Sequence, residues 1–420
     1  MSSAFPPAKT SAAKTSAAKT STAKPAPRQT PVRSIILLAA AGFASQAQVR
    51  VTDSLLPQIA SDFQTTVGVA AIVLTAYALT HGSIQFVVGP MADRFGKYRT
   101  VAIASVLAAL LVALCGAASS LPQLALARLA TGAVAGWVIP VSMAYLGDVT
   151  PHDRLQPILA RYASGYILGQ LFGQAMGGIL GDLFGWRNVF FALGGMFALA
   201  AAGLIFELIV NPKTRERGRE ASDRRGFVAD YSAVLSNPFA RIILIMAFIE
   251  AALAWGAFAY IGADLHQRFG LSLTLIGLTV ACFGVGGLIY AGLVRQLVFR
   301  LGQAGLTVIG GFLITAAYVV LTLQRAWWLA PIAVTAIGLG FYMFHNTLQT
   351  KATQMTPEAR GTAVAIFSSA LYFGQTAGVA VGALVIDRLG AAPLFLGTAI
   401  AFPALALWFA RELQRRQALE

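Results

Sequence analysis

Charge is what this sequence has least of. Only 11% of its residues are Asp, Glu, Lys or Arg, against about 25% in soluble globular chains, so water is the wrong solvent for most of it. The two cysteines, Cys115 and Cys282, lie in separate apolar segments and offer neither a disulfide framework nor metal-ligand spacing. Four histidines form no zinc-type pair, and no phosphate loop or nucleophile elbow occurs. The sequence therefore reads as no enzyme, with no metal and no cofactor expected. Acids are scarcer than bases, 17 against 31, for a net charge of +14. Such an excess can point to nucleic acid, so the placement of the basic residues has to decide.

Apolar stretches are abundant where charge is not. A bilayer-crossing helix needs about 20 mostly apolar residues, and stretches of that length recur twelve times from near residue 34 to near residue 411. Segments such as 103–118 and 394–410 are apolar nearly all round, whereas a helix on a soluble core keeps a polar face. The basic residues gather on alternate joints: 94–99, 154–161, 213–241, 295–300, 351–360 and 411–416, together with the first 33 residues. Arg50, Arg128, Arg187, Arg268, Arg325 and Arg388 fall elsewhere. Positive charge flanking the cytoplasmic side sets orientation, so both termini are expected in the cytoplasm of an inner (plasma) membrane protein, and nucleic acid is not needed to explain the charge.

Residues 1–33, with Lys9, Lys14 and Lys19 repeating at five-residue spacing, are too polar to bury and are expected to be a disordered basic cytoplasmic tail. The stretch 35–47 has the length of a signal-peptide core, but with eleven more apolar segments following, an uncleaved first helix is the expectation. The most hydrophilic interior stretch, 211–240, has the composition of a linker. It divides a six-helix bundle at 34–210 from another at 241–411, with 412–420 as a second cytoplasmic tail.

The halves repeat one another. Gly169, Gln170, Gly173, Gly177, Asp182 and Gly185 each recur 205 residues later as Gly374, Gln375, Gly378, Gly382, Asp387 and Gly390. Thr150, Pro151 and Arg154 recur at an offset of 206 as Thr356, Pro357 and Arg360, and Phe63 as Phe269. An even number of spans per half leaves both halves in one orientation, so the repeat axis runs along the membrane normal. The fold class expected is an all-α membrane protein, twelve transmembrane helices in two pseudo-symmetric six-helix bundles.

The joint after the second apolar segment reads Gly89-Pro90-Met91-Ala92-Asp93-Arg94-Phe95-Gly96-Lys97. It resembles the signature loop Gly-x-x-x-Asp-Arg-x-Gly-(Arg/Lys) of the major facilitator superfamily, over a region of about 34–411. The resemblance implies a gating loop of Gly89, Asp93, Arg94, Gly96 and Lys97 that latches one conformation. A tight turn with topogenic charge is the plainer alternative. In the second half Arg300 and Gly302 are kept, but Phe299 stands where the acid would be, so any such latch is asymmetric. Arg128, Gly132 and Gly136 resemble the Arg-x-x-x-Gly pattern of the proton-coupled branch. Gly169, Gly173, Gly177 and Gly178 resemble the antiporter signature of the drug/proton branch, with Gln174 in place of its proline. Glycines at four-residue spacing also let neighbouring helices approach closely, and helix packing is the role expected for most of them.

Ionisable groups within spans cost roughly 2.5 to 3.5 kcal/mol each on insertion scales and tend to mark a pathway. Glu250 lies about ten residues, or about 15 Å, into the seventh segment, near the middle of a core ~30 Å thick. Taking up a proton relieves the desolvation of its carboxylate, which makes it a candidate proton carrier or else a carboxylate bonded only for structure. Gln46, Arg50 and Asp53 share a face of the first segment, with Arg128 at similar depth. Asp53 is expected to pair with Arg50 or Arg128, loosening that end when protonated, or to stand as a permanent ion pair. Tyr77, His81 and Gln85 share a side of the second segment; Tyr77 and Gln85, with Gln46 and Arg50, are expected at a substrate cavity, and His81 titrates between pH 5 and 8 or serves as a packed hydrogen-bonder. His345, Asn346 and Gln349 are expected near the cytoplasmic end of the tenth segment. Trp255, Tyr260, Phe341 and Tyr342 are expected to line an apolar cavity or to pack.

Together these imply a secondary transporter driven by the proton gradient. It would export a small amphipathic compound by alternating access, with protons, the small molecule and the bilayer as its partners, and it would work as a monomer. Two other readings stand beside it: a proton-coupled importer of small organic anions, and a membrane sensor that binds without moving its ligand.

Overall fold

The computed structural model describes residues 32–215 and 227–417, all of them helix or short connection. The tail at 1–31, residues 216–226 of the linker and 418–420 lie outside the described residues. Among the described residues ten segments are long and apolar enough to cross a bilayer. Two adjustments bring the count to twelve. The helix His152–Phe184 is long enough to cross but is diluted by Gln156, Gln170 and Gln174. The segment Leu273–Leu323 has 51 residues and leaves helical geometry at Gly302. At 1.5 Å per residue it would be about 75 Å long, twice what a bilayer needs, so it is two spans.

In chain order the membrane helices are α1 (Val32–Asp62), α2 (Val67–Gly89), α3 (Lys97–Gly116), α4 (Leu121–Val149), α5 (His152–Phe184) and α6 (Trp186–Val210). In the second half they are α7 (Pro238–Phe269), α8 and α9 (273–301 and 303–323), α10 (Leu329–Gln354), α11 (Arg360–Leu389) and α12 (Ala391–Gln417). A helix satisfies its own backbone groups, which is what lets it sit in hydrocarbon. Helix starts are marked where the chain re-enters: Ser120 accepts from the Gln123 amide ahead of α4, Ser272 from Leu275 ahead of α8, and Asn237, followed by Pro238, caps α7. A short helix, Phe227–Ser236, precedes α7 in the linker.

The duplication read from the sequence is a duplication of contacts. A Cβ on Gly169 or Gly173 would run into the carbonyl oxygens of Phe43 or Ala47 on α1, and one on Gly374 or Gly378 into those of Phe248 or Ala252 on α7. Each half thus presses α5 or α11 backbone-to-backbone on its first helix. The turns repeat too. Gly96 and Gly302 have φ of 89° and 64°, and Gly185 and Gly390 have φ of 79° and 80°, a region open to glycine at no steric cost.

Between the halves, α5 packs on α8 and α2 on α11. The contacts gather toward the end of the bundle opposite the linker, here called the far end. Gly178 meets Leu273 and Gly277 there, and Gly68 meets Ala383. Midway, Gly284 meets Leu171 and Ser369 Oγ donates to Gly82 O at 2.9 Å, and nearer the linker end the rings of Phe86 and Phe373 lie 6.1 Å apart. At the linker end, polar contacts within the first half include Lys97 with Asp148, and Arg33 and Ser34 with Glu207. There the linker helix reaches α2 through Tyr231, whose hydroxyl donates to Phe86 O at 2.8 Å.

Candidate functional site: a chain of rings between two buried acids

The buried charges meet where α1 faces α7. Asp53 and Arg50, three residues apart on α1, sit 1% and 7% exposed, with Arg50 Nη1 at 3.8 Å from Asp53 Oδ2. Neither Asp53 oxygen has a hydrogen-bond partner among the described residues. The Arg50 guanidinium instead lies 3.4 Å from the centroid of the Trp255 ring on α7, a cation–π contact that crosses from one half to the other. Trp255 meets Phe341 of α10 at 5.0 Å and Phe283 of α8 at 5.2 Å. Phe341 stacks on His345 at 4.9 Å and 10°, and His345 Nδ1 lies 3.0 Å from Glu250 Oε2. Glu250 is fully buried and its second oxygen, Oε1, is unpaired. Two carboxylates are thereby joined through Arg50, Trp255, Phe341 and His345.

Arg128 is placed differently. It is fully buried, donating from Nε to Val73 O at 3.2 Å and from Nη1 to Gln48 O at 3.3 Å, with Tyr77 beneath it at 4.4 Å. It makes no hydrogen bond to Asp53 among the described residues, so Arg50 is the cation in contact with that acid. Backbone carbonyls of α1 and α2 compete for a guanidinium because each keeps a spare lone pair, and Arg128 pins three helices by taking them.

His81 Nδ1 lies 3.0 Å from the Tyr77 hydroxyl, and its ring faces Tyr372 of α11 at 4.1 Å, again across the halves. Gln46 and Tyr342 are half-buried, and Tyr342 lies 5.8 Å from Phe283. Gln85, expected at the cavity, and Tyr260, expected there or in packing, are both held by a neighbouring helix. Gln85 donates to Gly136 O at 3.3 Å, filling the break where α4 bends at Gly136 and Trp137. Tyr260, fully buried, donates to Val379 O at 2.7 Å and holds α7 to α11. In both cases a buried polar atom takes a neighbouring helix's carbonyl rather than a cavity.

Of the loop residues, Gly89 has open space around it, Arg94 is exposed and Lys97 pairs with Asp148. The Asp93 side chain lies outside the described residues. Gly169, Gly173 and Gly177 line the α1–α5 contact, while Gly178 looks away from it onto α8. Cys115 is buried and Cys282 half-buried, both free thiols. A cavity of about 350 Å³ lies between α3 and α4, lined by Phe95, Ile103, Leu107 and Trp137 among others, with no ionisable side chain in its lining.

Sequence reasoning missed His345, setting it near a helix end, and missed Tyr372. A depth count carries the signal. α7 runs from Pro238 and α10 runs on to Gln354, which brings Glu250 and His345 to similar depth from the same end of the bundle.

The family profile of the Major Facilitator Superfamily matches residues 38–358. This chain is a member of the Major Facilitator Superfamily. Among curated relatives, an uncharacterized MFS-type transporter, YceJ, of Bacillus subtilis (strain 168) is 27% identical over 336 residues, 78% of this chain and 82% of that protein. A probable sugar efflux transporter of Pasteurella multocida (strain Pm70) is 24% identical over 388 residues, 89% and 90% of the two chains. Among solved structures, a bacterial homolog of the human lysosomal transporter Spinster, inward-facing and unoccupied, superposes with a TM-score of 0.68 at 17% identity, covering 91% of this chain and 96% of that one. The nucleoside transporter NupG gives a TM-score of 0.69 at 13% identity, covering 89% and 98%. The superfamily fold, twelve helices in two pseudo-symmetric bundles, is thus shared by chains with little common sequence, and this chain is a multi-pass membrane transporter of that class.

Proposed function

We propose that this superfamily member exports a small amphipathic compound in exchange for protons, with the linker end in the cytoplasm of the inner membrane and Asp53 and Glu250 as the groups that exchange them. The observation that carries the reading is the pair of fully buried carboxylates with unpaired oxygens, Asp53 and Glu250, joined through rings across the halves. A buried carboxylate without compensation is costly, so the empty, deprotonated carrier is disfavoured from returning and the return step takes up a proton. Substrate enters from the linker side, its apolar part against Trp255, Phe341 and Tyr342, and displaces the proton. Protonating Asp53 frees Arg50 from it and leaves the Trp255 ring as the remaining contact of the guanidinium. A membrane potential supplies about 2.3 kcal/mol per charge per 100 mV, enough for roughly a 50-fold gradient. The efflux in the name of the Pasteurella multocida relative supports the direction.

One observation favours the reverse reading, import of a small organic anion with a proton. Arg50 stacks on Trp255 with its acidic neighbour 3.8 Å away, and such a guanidinium suits a carboxylate ligand. Direction separates the two. Inside-out vesicles with an acid interior are given a panel of amphipathic compounds, and proton release is followed for the normal protein, Glu250→Gln and Asp53→Asn. Release triggered by a compound and lost in one of the variants supports exchange and names the carrier. Absence of release, with proton-stimulated uptake of small carboxylates into right-side-out vesicles, would establish import instead.

A further inference from the structure

Asp182 and Asp387 are equivalent by the 205-residue repeat, and each stands one turn before the glycine that ends its helix, Gly185 or Gly390. Both are exposed at the far end, away from the site. Neither serves its own half. Asp182, at the end of α5, accepts from the Leu273 amide at 3.0 Å and the Thr274 amide at 2.6 Å, the first turn of α8 in the other half. Asp387, at the end of α11, accepts from the Gly68 amide at 2.9 Å and the Thr66 hydroxyl at 2.6 Å, the start of α2. The partners repeat as well, Thr66 to Gly68 lying 206 residues before Ser272 to Thr274.

The first amides of a helix lack intrahelical acceptors and carry its positive dipole end. A carboxylate placed there from another body therefore makes a contact that exists only while the two bodies touch. The backbones around each carboxylate are close enough for this. Gly178, one turn before Asp182, meets the Leu273 carbonyl, and Gly68 meets the Ala383 carbonyl, one turn before Asp387. Thr66 also caps its own helix, accepting from Val69 at 3.2 Å, so α2 begins the same way whether or not Asp387 is engaged.

We propose that Asp182 and Asp387 are a symmetric pair of latches that hold the far end shut, and so are positioning residues that set the balance between the two access states of the transporter. Opening at the far end must pull both carboxylates off their helix starts into water at once. Water replaces the lost bonds only in part, and two modest contacts broken together give the closed state a combined advantage. This holds whichever way substrate moves and whatever ion drives it.

The test is a distance measurement between spin labels on the two far-end loops, at Ala117→Cys and Arg325→Cys, in the full chain carrying Cys115→Ala and Cys282→Ala. Asp182→Asn and Asp387→Asn are each expected to raise the far-end-open fraction about 2- to 5-fold, the range of an exposed charge at a helix start. The double variant should multiply the two factors. Thr66→Ala should reproduce part of the Asp387→Asn effect and Thr66→Ser should reverse it. If thermal stability falls in these variants while the distance distribution stays as in the parent, the carboxylates are helix caps only and the proposal is wrong. Should Asp182→Asn fail to fold, Asp387→Asn and the Thr66 pair decide the matter alone.

Discussion

The two ends of the bundle come from the same duplicated segment, yet the polar contacts that join the halves are matched in both copies at the far end and, among the described residues, not at the linker end. At the far end acids, glycines and helix starts are matched in both halves, and their contacts cross: Asp182 to α8, Asp387 to α2, Gly178 against Leu273. At the linker end the loop acid Asp93 is answered by Phe299, which is 90% exposed, and the ion pairs among the described residues there, Lys97 with Asp148, Arg33 with Glu207 and Arg415 with Glu412, each stay inside one half. The difference teaches that duplication supplies a symmetric frame and that access is controlled by where the symmetry is kept. A closure built twice opens only when both copies release.

The sharpest way to break the contrast is to put bulk into one end and not the other. Gly178→Val at the far end meets a backbone carbonyl that cannot move aside, and overpacking of this kind costs about 1–3 kcal/mol. The far-end-open fraction is expected to rise about tenfold or more in the spin-label measurement. Gly89→Ala at the linker end has open space around it and should leave the fraction within about twofold; an equal effect from both would erase the distinction. Next in size is Trp255→Leu. It removes the cation–π crossing from Arg50, which is worth about 2 kcal/mol when desolvated, and shortens a buried ring packed on Phe258, Phe283 and Phe341, so the thermal midpoint should fall and initial transport rates in liposomes should fall by about tenfold or more.

His345→Phe keeps a ring stacked on Phe341 and removes the nitrogen 3.0 Å from Glu250. Proton release per substrate in inside-out vesicles is expected to fall severalfold with the far-end distance unchanged. Retention of full release would assign Glu250 no role that depends on its partner. Smallest is Lys97→Met. Its partner Asp148 is 43% exposed, and such pairs contribute below about 1 kcal/mol, so a shift of a few degrees in thermal midpoint and no change at the far end are expected. A large opening there would mean that the two ends are coupled through α3 and α4.

The frame was legible before any coordinate, because a span in hydrocarbon must be long, apolar and helical, and because the repeat spacing of 205 and 206 survives in glycines. Arg50 and Asp53 were legible as a pair since three residues along one helix bring side chains to one face. What could not be read was which helices touch. Glu250 and His345 are 95 residues apart, and nothing in helical period says that α7 meets α10. Asp182 and Asp387 were visible as a repeat, but apart from the Thr66 hydroxyl their partners are amides, which every residue except proline possesses and no sequence pattern marks. Gln85 was expected at the cavity, and Tyr260 there or in packing, for the same reason: the carbonyls that hold them, those of Gly136 and Val379, are invisible in side-chain patterns.

The backbone-to-backbone contact of α5 on α1 and of α11 on α7 has a consequence for how this chain can vary. At Gly169, Gly173, Gly374 and Gly378 every replacement residue adds at least one carbon, and at each that carbon lands on a carbonyl oxygen of the facing helix. No single substitution on the facing helix makes room, since the obstruction is main chain and identical in all twenty residues. These four positions can therefore drift only by the loss of the contact itself, and they stand as fixed points about which the remainder of each half is free to diverge.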